Sequence, residues 1–343
     1  MGLSKMKLVE VFRKSYTLDA TGLTKVEIPS DQMPEGLIHG FWVRLCCSAL
    51  SSFDSAVANY PAVVRSITYG SQFPKHNVMT SVPLEFWDKV WTNLQRKAPS
   101  RTTPVAGGFA INFYLPYSWE GTDRNKAFRP KDTGLLNING KALPFITMHL
   151  GPYSDVAITL DAAPSVAVIV EASYEPVVRA GFTRPDNSLF SGDQPLKMLE
   201  IAVSQKSDLS TNTIAQLLTG GDRENIGVIV RELSSAGAEV SNIFTAGIAT
   251  PSKFVFKKGD SDEYTSDAKL ETLDSIMSDE LGIAVQAGYH YWFAAARGRL
   301  SDAVDLRDGS KFTLSMDNLA TTASRVLEIM QINTLDIPKA VLA

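Results

Sequence analysis

The chain has 343 residues, 44% of them hydrophobic and 20% charged, which suits about two folded domains and argues against disorder. The net charge of −4 gives no general basis for nucleic-acid binding, and no apolar run approaches the roughly 20 residues of a membrane helix. The only cysteines, Cys46 and Cys47, are adjacent, which argues against a disulfide scaffold.

The N-terminal stretch MGLSKMKLVEVF lacks the long apolar core of a signal peptide, so assembly in a cytosol is expected. Lys5, Lys7, Arg13 and Lys14 stand against a single Glu10 and interleave with Leu8, Val9, Val11 and Phe12. That pattern reads as a basic arm over residues 1–15 with an amphipathic surface. It suits contact with phosphate, on lipid or nucleic acid, and equally an arm with no specific partner.

Short strand patterns follow at 16–18, 25–28, 41–47, 63–69, 109–115, 144–150, 157–160 and 165–172, with Gly, Pro, Asn and Asp between them. Many short strands with turn residues between them predict a sandwich or barrel. Residues 83–97 carry Leu84, Trp87, Trp91 and Leu94 on one helical face, behind Pro83 in the first turn. The segment from Gly134 to Ala142 has the outline of a phosphate-binding loop. Its glycine spacing is one too long and Ala142 replaces the magnesium-binding hydroxyl, so it reads as a strand feeding an Asn-Gly hairpin turn.

Residues 175–197, with Pro176, Gly181, Pro185, Gly192 and Pro195, read as a linker between a first β-rich domain (16–174) and a second (198–334). Residues 335–343 read as a C-terminal tail, and 198–220 are poorly patterned. A second helix is predicted over 266–281, with Leu270, Leu273, Met277 and Leu281 on its apolar face and Ser266 and Asp267 as caps. Residues 259–280 hold eight acidic residues against Lys269, a local charge of −7. Asp260, Asp262 and Glu271 have an EF-hand-like spacing, but Tyr264 and Thr265 occupy the positions of a ligand and the turn glycine, and a solvated acidic loop is expected. The four histidines form no zinc spacing, and His39 and His149 read as satisfied structural residues. The aromatics 86, 87, 91 and 289–293 read as core. No catalytic, cofactor-binding or metal site is expected.

The sequence is also written twice. Gly40-Phe41-Trp42-Val43-Arg44 recurs as Gly227-Val228-Ile229-Val230-Arg231, an offset of 187 (227 − 40). Leu84-Glu85-x-x-Asp88 recurs as Leu270-Glu271-x-x-Asp274, an offset of 186 (270 − 84). The pair 158–160 then 166–170 is matched to 312–314 then 326–332. A repeat of this length is a whole domain.

Two β-rich halves, a helix before an aromatic strand in each, and the strings GLIHGFWVRL (36–45), FAINFYLPYS (109–118) and KFTLSMDN with SRVLEIMQIN (311–333) resemble the double jelly-roll major capsid proteins. That family, including tectiviruses, corticoviruses and finnlakeviruses, forms shells of tailless icosahedral phages with an internal membrane. The resemblance implies an all-β fold of two tandem eight-stranded jelly rolls with short helical insertions. It implies a non-enzymatic subunit that assembles as pseudo-hexagonal homotrimers into a virion capsid in the host cytoplasm. Neighbouring capsomers and minor capsid or vertex proteins would be its partners, with no specific nucleic acid. Lys5, Lys7, Arg13 and Lys14 would then face anionic lipid inside the shell, and the helices would pack outside each barrel. A two-jelly-roll enzyme acting on glycans, or a carbohydrate- or receptor-binding protein, is the alternative.

Overall fold

The computed structural model describes residues 7–48, 60–73, 75–94, 101–105, 108–117, 134–137, 140–152, 164–176, 197–244, 251–260, 262–264, 269–282, 286–294, 302–320 and 325–336. Among the described residues the chain divides into two compact units between Leu199 and Glu200.

In the first unit the elements are β1 (Lys7–Thr17), β2 (Thr24–Ile28), β3 (Gly36–Ser48), a 3-10 turn (Tyr60–Val63), β4 (Val64–Ser71), β5 (His76–Val82), α1 (Leu84–Leu94), β6 (Arg101–Val105), β7 (Gly108–Pro116), β8 (Leu135–Asn137), β9 (Pro144–Leu150) and β10 (Ser165–Glu175). One sheet has the order β1-β10-β3-β7-β6, with β8 on β3; the other runs β5-β4-β9-β2. The chain crosses between the two sheets from β1 to β2, β2 to β3, β3 to β4, β5 to β6, β8 to β9 and β9 to β10, the winding of a jelly roll.

Alternation explains the inner faces. In β9, Pro144, Ile146, Met148 and Leu150 are buried while the residues between them are half-buried. Val166, Val168, Val170 and Ala172 of β10 lie opposite Cys47, Leu45, Val43 and Phe41 of β3, and all are buried. Two tyrosines tie the sheets reciprocally. Tyr69 on β4 donates to the Pro116 carbonyl on β7 (2.5 Å), and Tyr117, just past β7, donates to the Gly70 carbonyl on β4 (2.5 Å). Burial pushes both phenols well above their ordinary range.

The second unit repeats the scheme: β11 (Lys197–Lys206, in this unit from Glu200), β12 (Thr213–Leu217), β13 (Arg223–Ser234), β14 (Lys253–Lys258), β15 (Asp262–Glu263), α2 (Leu270–Leu281), β16 (Tyr289–Phe293), β17 (Val304–Asp305), β18 (Phe312–Asp317) and β19 (Arg325–Asp336). Its sheets are β11-β19-β13-β16, with β17 on β13, and β12-β18-β14-β15. This is an all-β double jelly roll with one helix in each unit among the described residues.

The repeat extends to register. Gly40 faces Pro116 and Ser173, and Gly227 faces Phe293 and Ile332. Both central strands carry a bulge one residue before that glycine, at His39 and at Ile226. The glycines themselves are forced by close approach. A Cβ on Gly40 would lie 2.5 Å from the Tyr114 ring and 2.6 Å from the Leu115 carbonyl. A Cβ on Gly227 would lie 2.5 Å from the Phe293 ring and 2.7 Å from the Trp292 carbonyl.

Several sequence expectations need correction. β8 pairs with β3 in one sheet while β9 lies in the other, so the Asn-Gly segment crosses between sheets instead of closing a hairpin. The counterpart of β18 is β9, since each lies between the matching strands of its sheet; 158–160 lie outside the described residues. The helix α2 begins at Leu270, with Lys269 at its N-cap and no side-chain cap. There Lys269 bridges to Lys253 of β14, and the expected caps Ser266 and Asp267 lie outside the described residues. Gly282, left-handed at φ 59°, ends the helix, its N–H bonded to the Ser278 carbonyl. The poorly patterned stretch after 197 is strand at β11 and β12. Most of the linker (177–196) and the tail from 337 lie outside the described residues.

Candidate functional site

Among the described residues no group of three or more His, Cys, Asp and Glu is arranged to hold a metal ion, and no helix is long and apolar enough to cross a membrane. The EF-hand-like spacing is split between elements: Asp262 opens β15, which pairs with β14, and Glu271 lies in the first turn of α2. Phe86 and Trp87 are buried in α1, as are Tyr289, Tyr291, Trp292 and Phe293 in β16. His39 lies 3.3 Å from Glu175 and His149 lies 3.0 Å from Ser66 Oγ. The helices bury most of the expected faces, the Leu281 side chain lying outside the described residues. Trp87 Nε1 donates to the Tyr114 carbonyl (2.7 Å), Trp91 is half-buried against Tyr114, and Leu270, Leu273 and Met277 are buried in the second unit.

The N-terminal basic residues are placed by β1. From Lys7 onward this segment is an edge strand, antiparallel to β10 from Lys7 opposite Tyr174 to Thr17 opposite Ser165. Lys7, Arg13 and Lys14 are exposed on it, and Lys5 lies outside the described residues. The Glu10 carboxylate holds Arg13 with contacts of 3.0 and 2.6 Å, and Lys14 sits 5.1 Å above the Tyr16 ring. A bulge between Glu10 and Phe12 turns Val11 inward, where it is buried. Lysine and a bulge on an edge strand oppose strand-to-strand aggregation.

The outward faces of the two matching sheets differ. In the first unit Arg44 is exposed opposite Ile169, and Trp42 is 42% exposed beside Glu171. In the second unit the corresponding residues are buried. Arg231 lies opposite Glu328, and its Nε and Nη2 bond Glu328 Oε2 at 2.9 and 2.5 Å. Gln205 donates to the other Glu328 oxygen (2.8 Å), and Glu239 approaches Arg231 at 3.3 Å while accepting from the Tyr289 hydroxyl. At one end of the same unit, Asn333 links Glu200 (2.9 Å) and Asn225 (2.9 Å), and Glu200 clamps Arg223 at 2.6 and 2.7 Å. Sequence reasoning missed both networks, because the pair Arg231 and Glu328 is 97 residues apart and only the register brings it together. On the inner face, His290 lies between Asp274 of α2 and Glu232 of β13, each 2.9 Å away.

No family model and no curated protein matches the sequence. Solved structures do. The major capsid protein of STIV is similar over 98% of this chain and 98% of its own, with a TM-score of 0.65 at 11% identity. The structure of Sulfolobus Turreted Icosahedral Virus gives a TM-score of 0.63 at 12% identity, covering 99% of this chain and 95% of that one. The major capsid protein P2 of bacteriophage PM2 gives 0.56 at 11% identity, covering 94% and 97%. The likeness extends across both units, and the fold is the double jelly roll of these coat proteins.

Proposed function

We propose that this chain is a viral major capsid protein, the structural subunit of an icosahedral shell, and that it acts by assembly instead of catalysis. The observation that carries the reading is the doubled jelly roll, with the same strand order and the same bulge in both units, alike over nearly the whole chain to the PM2 and STIV coat proteins. A hexagonal lattice needs near-equivalent contacts on six sides, and three copies of a duplicated subunit supply six jelly rolls. The finer reading is therefore a homotrimer that tiles with neighbouring capsomers and minor vertex proteins around an internal membrane. Its place is the virion capsid, assembled in the host cytoplasm.

Light scattering on the purified chain should give about 112 kDa (3 × 37.4 kDa), and negative-stain images should show hexagonal tiles. A clean monomer that forms no tiles under any assembly condition would sink the reading.

Within it, Lys5, Lys7, Arg13 and Lys14 face the anionic lipid of the inner membrane. Because residues from Lys7 onward form a strand of the sheet, the apt test is charge removal, not deletion. The triple variant K5Q/K7Q/K14Q should keep the trimer and lose flotation with phosphatidylglycerol vesicles. Unchanged flotation would remove the lipid contact while leaving assembly untouched.

A further inference from the structure

The imidazole of His290 is enclosed at the end of the second jelly roll. Its Nδ1 lies 2.9 Å from Asp274 Oδ2 and its Nε2 lies 2.9 Å from Glu232 Oε1. Phe244 and Phe254 stand edge-on to the ring at 4.6 and 5.8 Å. Among the described residues, the titratable groups facing it are Asp274 from α2 and Glu232 from β13; β14 and the segment before 245 present Phe254 and Phe244. A neutral imidazole offers one N–H and one lone pair, so between two ionised carboxylates only the imidazolium satisfies both sides. Glu232 is otherwise committed, its second oxygen accepting from the Ile243 backbone N–H at 2.6 Å. Asp274 is not: its Oδ1 is buried without a hydrogen-bond partner among the described residues. The His290 proton is therefore what compensates Asp274.

We propose that His290 is a protonation-controlled latch on α2. As an imidazolium it donates to Asp274 on α2 and to Glu232 on β13 at once; as a neutral ring it has a single N–H for the two carboxylates, so the tie from α2 through His290 to β13 is broken and α2 loosens. Besides its buried face of Leu270, Leu273 and Met277, the helix is held by the Leu270 N–H to the Ser252 carbonyl at its start and by the Phe293 N–H to Met277 Sδ at 3.3 Å in its later half, so the His290 tie is one of several that position it. Its outward residues, including Thr272, Ile276 and Asp279, are exposed, so loosening changes a surface of the unit. Unit 1 has no such latch: Asp88 recurs in α1, but the residue matching His290 in register is Phe113, opposite Val43 as His290 is opposite Val230.

The direction of the pH effect follows. Burial opposes charging the ring, but the hydrogen bonds and charges of Asp274 and Glu232 outweigh it and hold the imidazole above its ordinary value. A group raised on folding adds stability that is full below its unfolded value, about 6.5, and is lost as pH rises through its folded value. The latch is closed in acid and opens toward alkaline pH.

The test uses the full chain and stands whether or not it assembles. Histidine NMR of the wild type, with His290 assigned by its loss in H290Q and its displacement in D274N, should show a midpoint above about 6.5. Hydrogen exchange of the α2 peptides, corrected for intrinsic rate, should lose up to about tenfold protection per pH unit between 6.5 and that midpoint. Peptides from β9 should not follow. In D274N the midpoint should fall and the α2 slope flatten. A wild-type midpoint at or below 6.5, α2 protection independent of pH, or an unchanged slope in D274N would each overturn the proposal; the wild-type arms stand even where H290Q does not fold.

Discussion

Arg44 and Arg231 are the same residue of the repeat in opposite circumstances, so one substitution made twice tests the energetics directly. In R231L, Glu328 loses the contacts at 2.9 and 2.5 Å, keeps Gln205, and remains with a side chain 4% exposed. Glu239 loses its 3.3 Å contact but keeps Tyr289 and is 26% exposed, so water takes up part of that loss. Breaking a buried pair from one side costs about 3–5 kcal/mol, because the remaining charge is uncompensated. Removing both charges in R231L/E328L should recover most of that loss, since apolar replacement of a buried pair is often neutral. R44L, at an exposed position, should stay within about 0.5 kcal/mol. Urea titration read by hydrogen exchange of β13 and β19 peptides resolves the second unit from the first. The reasoning fails if R231L costs less than about 1 kcal/mol, or if the double variant is no more stable than the single.

Two further outcomes follow from packing. G40A and G227A should each lose about 1–3 kcal/mol, because the added methyl meets an aromatic ring and a carbonyl at 2.5–2.7 Å; thermal melts unchanged in both would show that the central strands yield without cost. Burial pushes the Cys47 thiol up to about 12, whereas Cys46 is half-buried. A disulfide-exchange reagent at pH 8 should therefore label Cys46 in the native protein and reach Cys47 only on unfolding, and equal rates at both thiols would contradict that burial.

The sequence carried the doubling, β9 end to end, β2 to within a residue and both helices, because alternation and helical spacing are local signals. It carried β1 poorly. The bulge at Val11 breaks the alternation, and an edge strand fills its outward positions with Lys, Arg and Glu, so the segment reads as an arm. The strands β13 and β19 are buried on both faces, which erases period-two patterning and hides why Arg231, Glu232 and Glu328 sit in strand interiors. Those charges are intelligible only from their partners: across a register for Arg231 and Glu328, and on a helix for His290. The surface role assigned to Lys7 and Lys14 needed no such partner, since composition alone marked the segment as basic.

The shared bulge and glycine also measure how the two copies have aged. The central strands correspond at an offset of 187 (227 − 40), their partners β7 and β16 at 177 (293 − 116), and β10 and β19 at 159 (332 − 173). From the central strand to the aromatic strand the second copy is thus 10 residues shorter than the first, and from there to β19 it is 18 shorter again, while the central strand keeps its register with both neighbours. Length has been a free variable in the connections and a fixed one in the ladders. For anyone wishing to display a foreign peptide on this scaffold, the connections between β7 and β10 are the natural insertion points: the corresponding span of the second copy is 18 residues shorter, yet β19 pairs with β13 as β10 pairs with β3.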